Sequence, residues 1–413
     1  MSDETTVAPG ALDGVTVVEL ASDAAAFAGK LLADLGADVV LVEPPGGHRS
    51  RGYGPFAGDI GDPERSLWFW HYHTSKRGVV LDLDDAGGAA AFARLAAGAD
   101  VVLEAEPPGR LAGLGLDHGD LRPANPRLVW TSLTPFGRDN PRSAEQATDL
   151  TVLAGGGPVW SCGYDDHSIP PVRGGGNQGW HTGSLFAVMG TLTALVVRDV
   201  TGEGQHVDTS LHAAANVTTE AASYEWLVAR ATVQRQTARH AATRPTANTD
   251  ALCADGRQVN TGVPPRSAAE LEGLLRWLDD LGGRERFDDH VLLQLGVERG
   301  GVQIHEIFDD AEAMAIFGAG REAVQFIASQ VGAYDFFVGA QTLGLACGII
   351  YSPEEVLADP HFVDRGFAVP VEHPELGRSV TYPGAPFHLP RSPWRIRRRA
   401  PLLGEHQDEI LGR

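Results

Sequence analysis

The sequence predicts an α/β protein with a mainly parallel sheet, and three observations predict it. Short β-branched runs alternate with Ala/Leu-rich runs of helical spacing through the first half of the chain. Each helical run ends near a glycine or an acidic turn. The strand–helix–strand order closes crossovers that favour parallel pairing.

The elements follow in order. GVTVVEL reads as a buried strand, DAAAFAGKLLADLG as a helix stopping at Gly36, and ADVVLVE as the second strand. GVVLDL, DDAGGAAAFARLAAG and ADVVLE repeat the unit, and PRLVWTSLTPFG adds a strand that runs into a loop. This first half is Rossmann-like in layout, yet its first strand runs into DAAAFAG and not into a G-x-G-x-x-G turn. A nicotinamide or flavin role is therefore not expected. From Ser184 to about Val200 the chain is apolar and helical, and TGEGQHVDTSL turns into another strand.

The expected domains are a large Rossmann-like part over 1–215, a helical linker over 216–246, a small α/β domain over 247–335, and a return to the large domain over 336–413. At 413 residues the chain can bury two cores. Its net charge of −21 argues against a nucleic-acid binder, which needs a basic footprint. Cys162, Cys253 and Cys347 lie too far apart for a metal or redox motif, so no metal is expected and reduced thiols in a cytoplasmic protein are. MSDETTVAPG has no signal-peptide pattern, and no apolar run reads as membrane-spanning.

One stretch raises a chemical question. PPVRGGGNQGWHTGSLFAVMG, from Pro170 to Gly190, passes from a glycine-rich loop into a helix. Such a junction presents backbone N–H groups and the positive end of a helix dipole, which suit an anion or a thioester oxygen gaining charge. Gly179, Trp180, His181 and Thr182 stand at the junction, and none carries a carboxylate.

Several segments in order resemble class III CoA-transferases, the family of formyl-CoA and carnitine CoA-transferases. They are LLADLGADVVLVEPPGG, SKRGVVLDL, NPRLVWTSLTPFGRDNP, TDLTVLAGG, TALVVRDVTGEGQHVDTSL, CGIIYSPEEVLADPHFVDRGF and APLLGEHQDEIL. The resemblance implies an interlaced dimer of ring-like chains that binds coenzyme A as acyl-CoA. It also implies transfer of CoA to a carboxylic acid through an aspartate that attacks the thioester. Counting back from TALVVRDVTGEGQ without gaps places Trp180 where that aspartate stands, a one-residue shift gives Gly179 or His181, and none of the three can form the acyl anhydride. The chain is thus expected to be a homodimer, or a heteromer with a related chain that carries the aspartate.

Substitute candidates are His181, as a neutral imidazole base at a helix start, Trp180, as a stacking or plugging group, and Asp23, as a hydrogen-bonding acid. Asp149 is read as a capping residue, and Asp165 or Asp166 as acids that a folded-back loop would bring in. Lys76, Arg77, Arg49 and Arg51 are candidates for the CoA phosphates, and Arg173 for a substrate carboxylate.

Overall fold

β-Branched runs buried on both faces and Ala-rich helices between them give the large unit its layers. The computed structural model describes residues 8–219, 221–307 and 309–412, the side chain of Ala221 excepted. In chain order the first elements are β1 (Thr16–Leu20), α1 (Ala26–Asp34), β2 (Asp38–Glu43), α2 (Leu67–Tyr72), β3 (Arg77–Val80), α3 (Ala86–Gly98) and β4 (Val101–Glu104). There follow α4 (Arg110–Gly113), α5 (His118–Leu121), β5 (Val129–Thr134), α6 (Asp149–Gly156), α7 (Gln178–Thr201), β6 (His206–Ser210), α8 (Leu211–Asn216) and α9 (Ala221–Ala229).

Six of these strands form one parallel sheet in the order β3-β2-β1-β4-β5-β6. The order reverses between β1 and β4, and doubly wound sheets bind their ligands outside the carboxyl ends of the strands at such a point. Val17, Val39, Val101 and Val129 face one way, in a core with Ala28 and Leu32 of α1 and Ala187 and Leu195 of α7. Val18, Val40, Val102 and Trp130 face the other way, with Phe92 of α3. The predicted stop of α1 is real: Gly36 has φ +117°, and an added Cβ would lie 2.8 Å from Gly10 Cα.

By length and composition α7 would cross a membrane, against the sequence reading. One face is held in the core, with Thr191 bonded to Thr131 at 2.7 Å and Arg198 to Asp100 at 2.6 Å, while Leu185, Met189, Val196 and Val200 are exposed.

The second unit comprises 161–171 and 231–356, and the first comprises 1–160, 172–230 and 357–413. The second thus begins earlier and ends later than the expected 247–335, and the return to the large unit comes at 357 instead of 336. It holds β7 (Gln234–Gln236), β8 (Arg239–Ala242), β9 (Asp250–Leu252), β10 (Gln258–Asn260), α10 (Ala268–Asp280), α11 (His290–Arg299), α12 (Ala311–Ala328), α13 (Ala333–Thr342) and β11 (Gly348–Ile349). Leu271, Leu274, Ile316, Ile327 and Phe336 centre its core.

The expected helical linker becomes a hairpin from 234 onward. Ala238 takes a positive φ of 55°, which closes the turn between β7 and β8. The loop 161–171 then packs on the hairpin, because Arg235 donates to Ile169 O at 2.7 Å and Thr237 Oγ1 accepts from Asp165 N at 3.0 Å. The chain continues through α14 (Pro353–Ala358), α15 (Pro360–Asp364), the hairpin β12 (Ala368–His373) with β13 (Arg378–Pro383), and α16 (Gln407–Leu411).

Candidate active site at the start of the long helix

The first turn of α7 borrows its cap. Asn177, the residue at the N-cap, makes no side-chain cap bond. Asp149, in the first turn of α6, supplies the acceptor: its Oδ1 takes the N–H of Gly179 at 2.8 Å and of Trp180 at 3.1 Å. Gly179 permits this approach, since a Cβ there would lie 3.0 Å from that oxygen. Asp149 Oδ2 accepts from Arg173 Nη1 at 3.1 Å. The positive end expected to receive an anion therefore already holds one, supplied by the chain itself.

Arg173 also closes the glycine turn, donating through Nη1 to Gly176 O at 2.5 Å and to Gly174 O at 3.4 Å. Trp180 is half-buried and packs against the core beside the sheet, which Ala24 and Ala105 also line.

His181 lies alongside. Its Nε2 is 2.6 Å from Tyr72 Oη, which also accepts from Asn177 Nδ2 at 3.1 Å. Which of Tyr72 Oη and His181 Nε2 donates is set by the tautomer of the ring. Burial lowers the His181 pKa, and the Asp149 charge offsets part of the shift. Phe27 covers the ring at 4.4 Å between centroids.

Asp23 stands apart from this group, with Oδ2 accepting from Arg49 at 2.7 Å and from Tyr53 at 2.9 Å. Tyr53, Trp68 and Tyr72 form an aromatic row between the two places, with centroid spacings of 5.5 and 4.3 Å.

The expected phosphate cations separate by burial. Lys76 is fully buried and pairs with Glu19, itself fully buried, at 2.7 Å; it also donates to Ala26 O and contacts His73 Nδ1. Burial lifts the Glu19 carboxyl to about 7, against the pull of the Lys76 charge. Arg51 is buried between Glu43 and Glu64, at 2.7 Å from each. Arg77 pairs with Asp38 at 2.5 Å and Glu409 at 2.8 Å. The structure commits these three to fold-internal pairs, because a cation taken out of water needs a fixed counter-charge. Arg49 is 71% exposed and Arg173 37%. Asp165 is tied to Arg239 and Thr237, and Asp166 to Ser168, and both lie in the second unit.

No carboxylate stands free to attack a thioester among the described residues of this junction, for both oxygens of Asp149 are engaged. Sequence reading missed Tyr72 and Asn177 as partners of His181. It also missed the Asp149–Arg173 pair, whose members lie 24 residues apart.

A doubly wound sheet with a helix start at its carboxyl edge defines a class of small-molecule-handling α/β proteins, and comparison narrows it. The sequence pattern of CoA-transferase family III matches residues 12–407. The chain is 32% identical over 400 residues to the succinyl-CoA:(R)-benzylsuccinate CoA-transferase subunit BbsE of Thauera aromatica, covering 96% of this chain and 92% of that one. It is 29% identical to the succinate–glutarate CoA-transferase of Agrobacterium fabrum, covering 97% and 94%. In fold it resembles a CaiB/BaiF family protein from Brucella suis, with TM-score 0.77, 24% identity and coverage of 98% and 99%. The chain belongs to CoA-transferase family III. The chemistry of that family is the transfer of CoA between carboxylic acids, with acyl-CoA thioesters as substrates.

Proposed function

We propose that this chain is one subunit of a two-chain CoA-transferase. It contributes an acyl-CoA-handling surface and the assembly scaffold, and a related partner chain contributes the attacking aspartate. The observation that carries this reading is the occupant of the first turn of α7. Trp180 stands there packed on the core, and the one carboxylate bonded to that turn, Asp149, spends both oxygens on backbone and Arg173. Transfer through an anhydride needs a carboxylate whose oxygen attacks the thioester carbon and expels the CoA thiolate; the thiolate then attacks the carboxyl carbon of the enzyme side chain and the first acid leaves as its carboxylate. The name of the Thauera relative, a transferase subunit, fits the same division of labour.

In this reading the large unit is Rossmann-like and the partners interlace as family chains do. The assembly works in the cytoplasm, and Arg49 is the open cation for CoA. A base role for His181 is the second reading. Its neutral ring favours it, and the engagement of Nε2 by Tyr72 opposes it.

The test is to purify the chain alone and together with a related chain that bears the aspartate, then assay CoA transfer and trap acyl-enzyme with hydroxylamine. The chain alone should transfer nothing, and the pair should be active with hydroxamate on the partner. Hydroxamate on this chain, or turnover by this chain alone that His181→Ala abolishes, overturns the proposal.

A further inference from the structure

The guanidinium of Arg173 is half used. All its hydrogen bonds within the described residues leave from Nη1, to Asp149 Oδ2, Gly174 O and Gly176 O. The Nε–Nη2 edge has no partner among the described residues, and the side chain is 37% exposed. The three Nη1 contacts fix the plane of the group, so that the spare edge is held ready. Two parallel N–H groups in a fixed fork match the two oxygens of a carboxylate. Trp180 packs on the core at the neighbouring start of α7, where Phe27 lies 4.4 Å from the His181 ring between centroids at an interplanar angle of 39°.

We infer that Arg173 binds the carboxylate of the acid substrate through its Nε–Nη2 edge, with the carbonyl oxygens of Gly174 and Gly176 holding the fork in place. The inference rests on the reading of the chain as part of a CoA-transferase, and it deepens that reading by giving this subunit the acid-binding group. The charge arrangement sets a specific consequence. Asp149 lies within ion-pair distance of the same guanidinium, so its negative charge opposes a second carboxylate on the free edge. An Asn at 149 keeps an amide oxygen for the N–H groups of Gly179 and Trp180 and removes that opposing charge. A merely structural Arg173–Asp149 pair predicts that losing either member weakens everything together. A binding edge predicts opposite signs for the two variants.

The experiment measures binding of succinate to the full chain, without CoA and without a partner, by saturation-transfer NMR and calorimetry. Arg173→Gln should weaken succinate binding about ten-fold or more, the loss of a bidentate charge-assisted contact. Arg173→Lys, which keeps the charge and loses the fork, should recover part of it. Asp149→Asn should bind succinate at least as tightly as the unaltered chain, and up to several-fold tighter. Unchanged binding in Arg173→Gln overturns the inference, and so does parallel loss in Asp149→Asn while its thermal unfolding stays cooperative. No detectable succinate binding by the unaltered chain overturns it as well. None of these results bears on whether a partner chain supplies the aspartate, which the co-purification assay decides separately.

Discussion

Two acid–base pairs in the large unit look alike in sequence and differ in what surrounds them. Lys76–Glu19 lies beside the sheet with both members at zero exposure, and its ammonium has further contacts to Ala26 O and His73. Arg173–Asp149 lies at the start of α7 with its acid buried and its base 37% exposed. In the first pair no donor faces solvent, so the pair specifies how α1, β1 and the turn before β3 fit together. In the second, half of the base is left over. The difference teaches that the residue type of a cation says little about ligand binding until its spare donors are counted.

The largest effect that can break this contrast is Lys76→Met. It leaves Glu19 without its counter-charge in the core, where the already raised carboxyl takes up a proton, and it should cost about 3–5 kcal/mol in urea unfolding. Adding Glu19→Gln should restore part of it, because the buried carboxyl then no longer has to take up a proton on folding. Were Lys76→Met stable and deficient only in CoA binding, the two pairs would not differ as argued. Asp149→Ala comes next. Two N–H groups of α7 and one guanidinium lose their acceptor, at about 1–3 kcal/mol in the same measurement. Asp149→Asn should lose less than half as much, because the cap persists.

The sheet was legible because burial on both faces writes itself as unbroken β-branched runs, as in TVVEL and DVVLVE. The capping role of Asp149 was legible in kind, but the helix it caps was not: it serves the first turn of α7, while Thr148 caps its own helix α6. What sequence could not carry is the partner of a charged side chain. Lys76 follows a turn and precedes a strand, which fits a phosphate-facing cation as well as a buried one. Only the burial of Glu19, 57 positions earlier in the middle of β1, decides the matter. The loop 161–171 is a similar case. Its acids Asp165 and Asp166 look available in sequence, and the contacts of Arg235 and Arg239 draw the loop into the other unit.

Acid should separate the regions further. Burial, with the charges of Lys30 and His181, lowers the His71 pKa to about 4, from an ordinary value near 6.5. Between those values the unfolded chain binds a proton that the native chain refuses, so stability rises with pH through this window and is lost on acidification. His48, His73, His118, His181, His206 and His406 shift in the same direction. Glu19, Glu104 and Glu106, raised by burial, oppose them. The histidine shifts lower the unfolding free energy from pH 6.5 toward 4.5, and the glutamate shifts work against that loss. His71→Gln should reduce that loss by about 1 kcal/mol, less than the full shift implies because the ring keeps some solvent contact. An unchanged slope would show that His71 is hydrated in the native state.

Arg49 supplies the smallest stability effect and the sharpest version of the contrast. Like Lys76 it was expected to meet a phosphate, and like Arg173 it remains accessible, 71% exposed while paired to Asp23. Asp23 keeps the Tyr53 hydroxyl when Arg49 is removed. Arg49→Ala should therefore change unfolding free energy by no more than about 0.5 kcal/mol. If Arg49 belongs with the open cations, the same variant should bind CoA more weakly, with a shallower dependence on salt, since one cation–phosphate contact is lost. A stability loss above about 1 kcal/mol with CoA binding intact would instead place Arg49 with Lys76 and Arg51, as a residue that holds the fold. The two measurements on one variant decide between the classes, because a closed pair and an open cation cannot give the same combination.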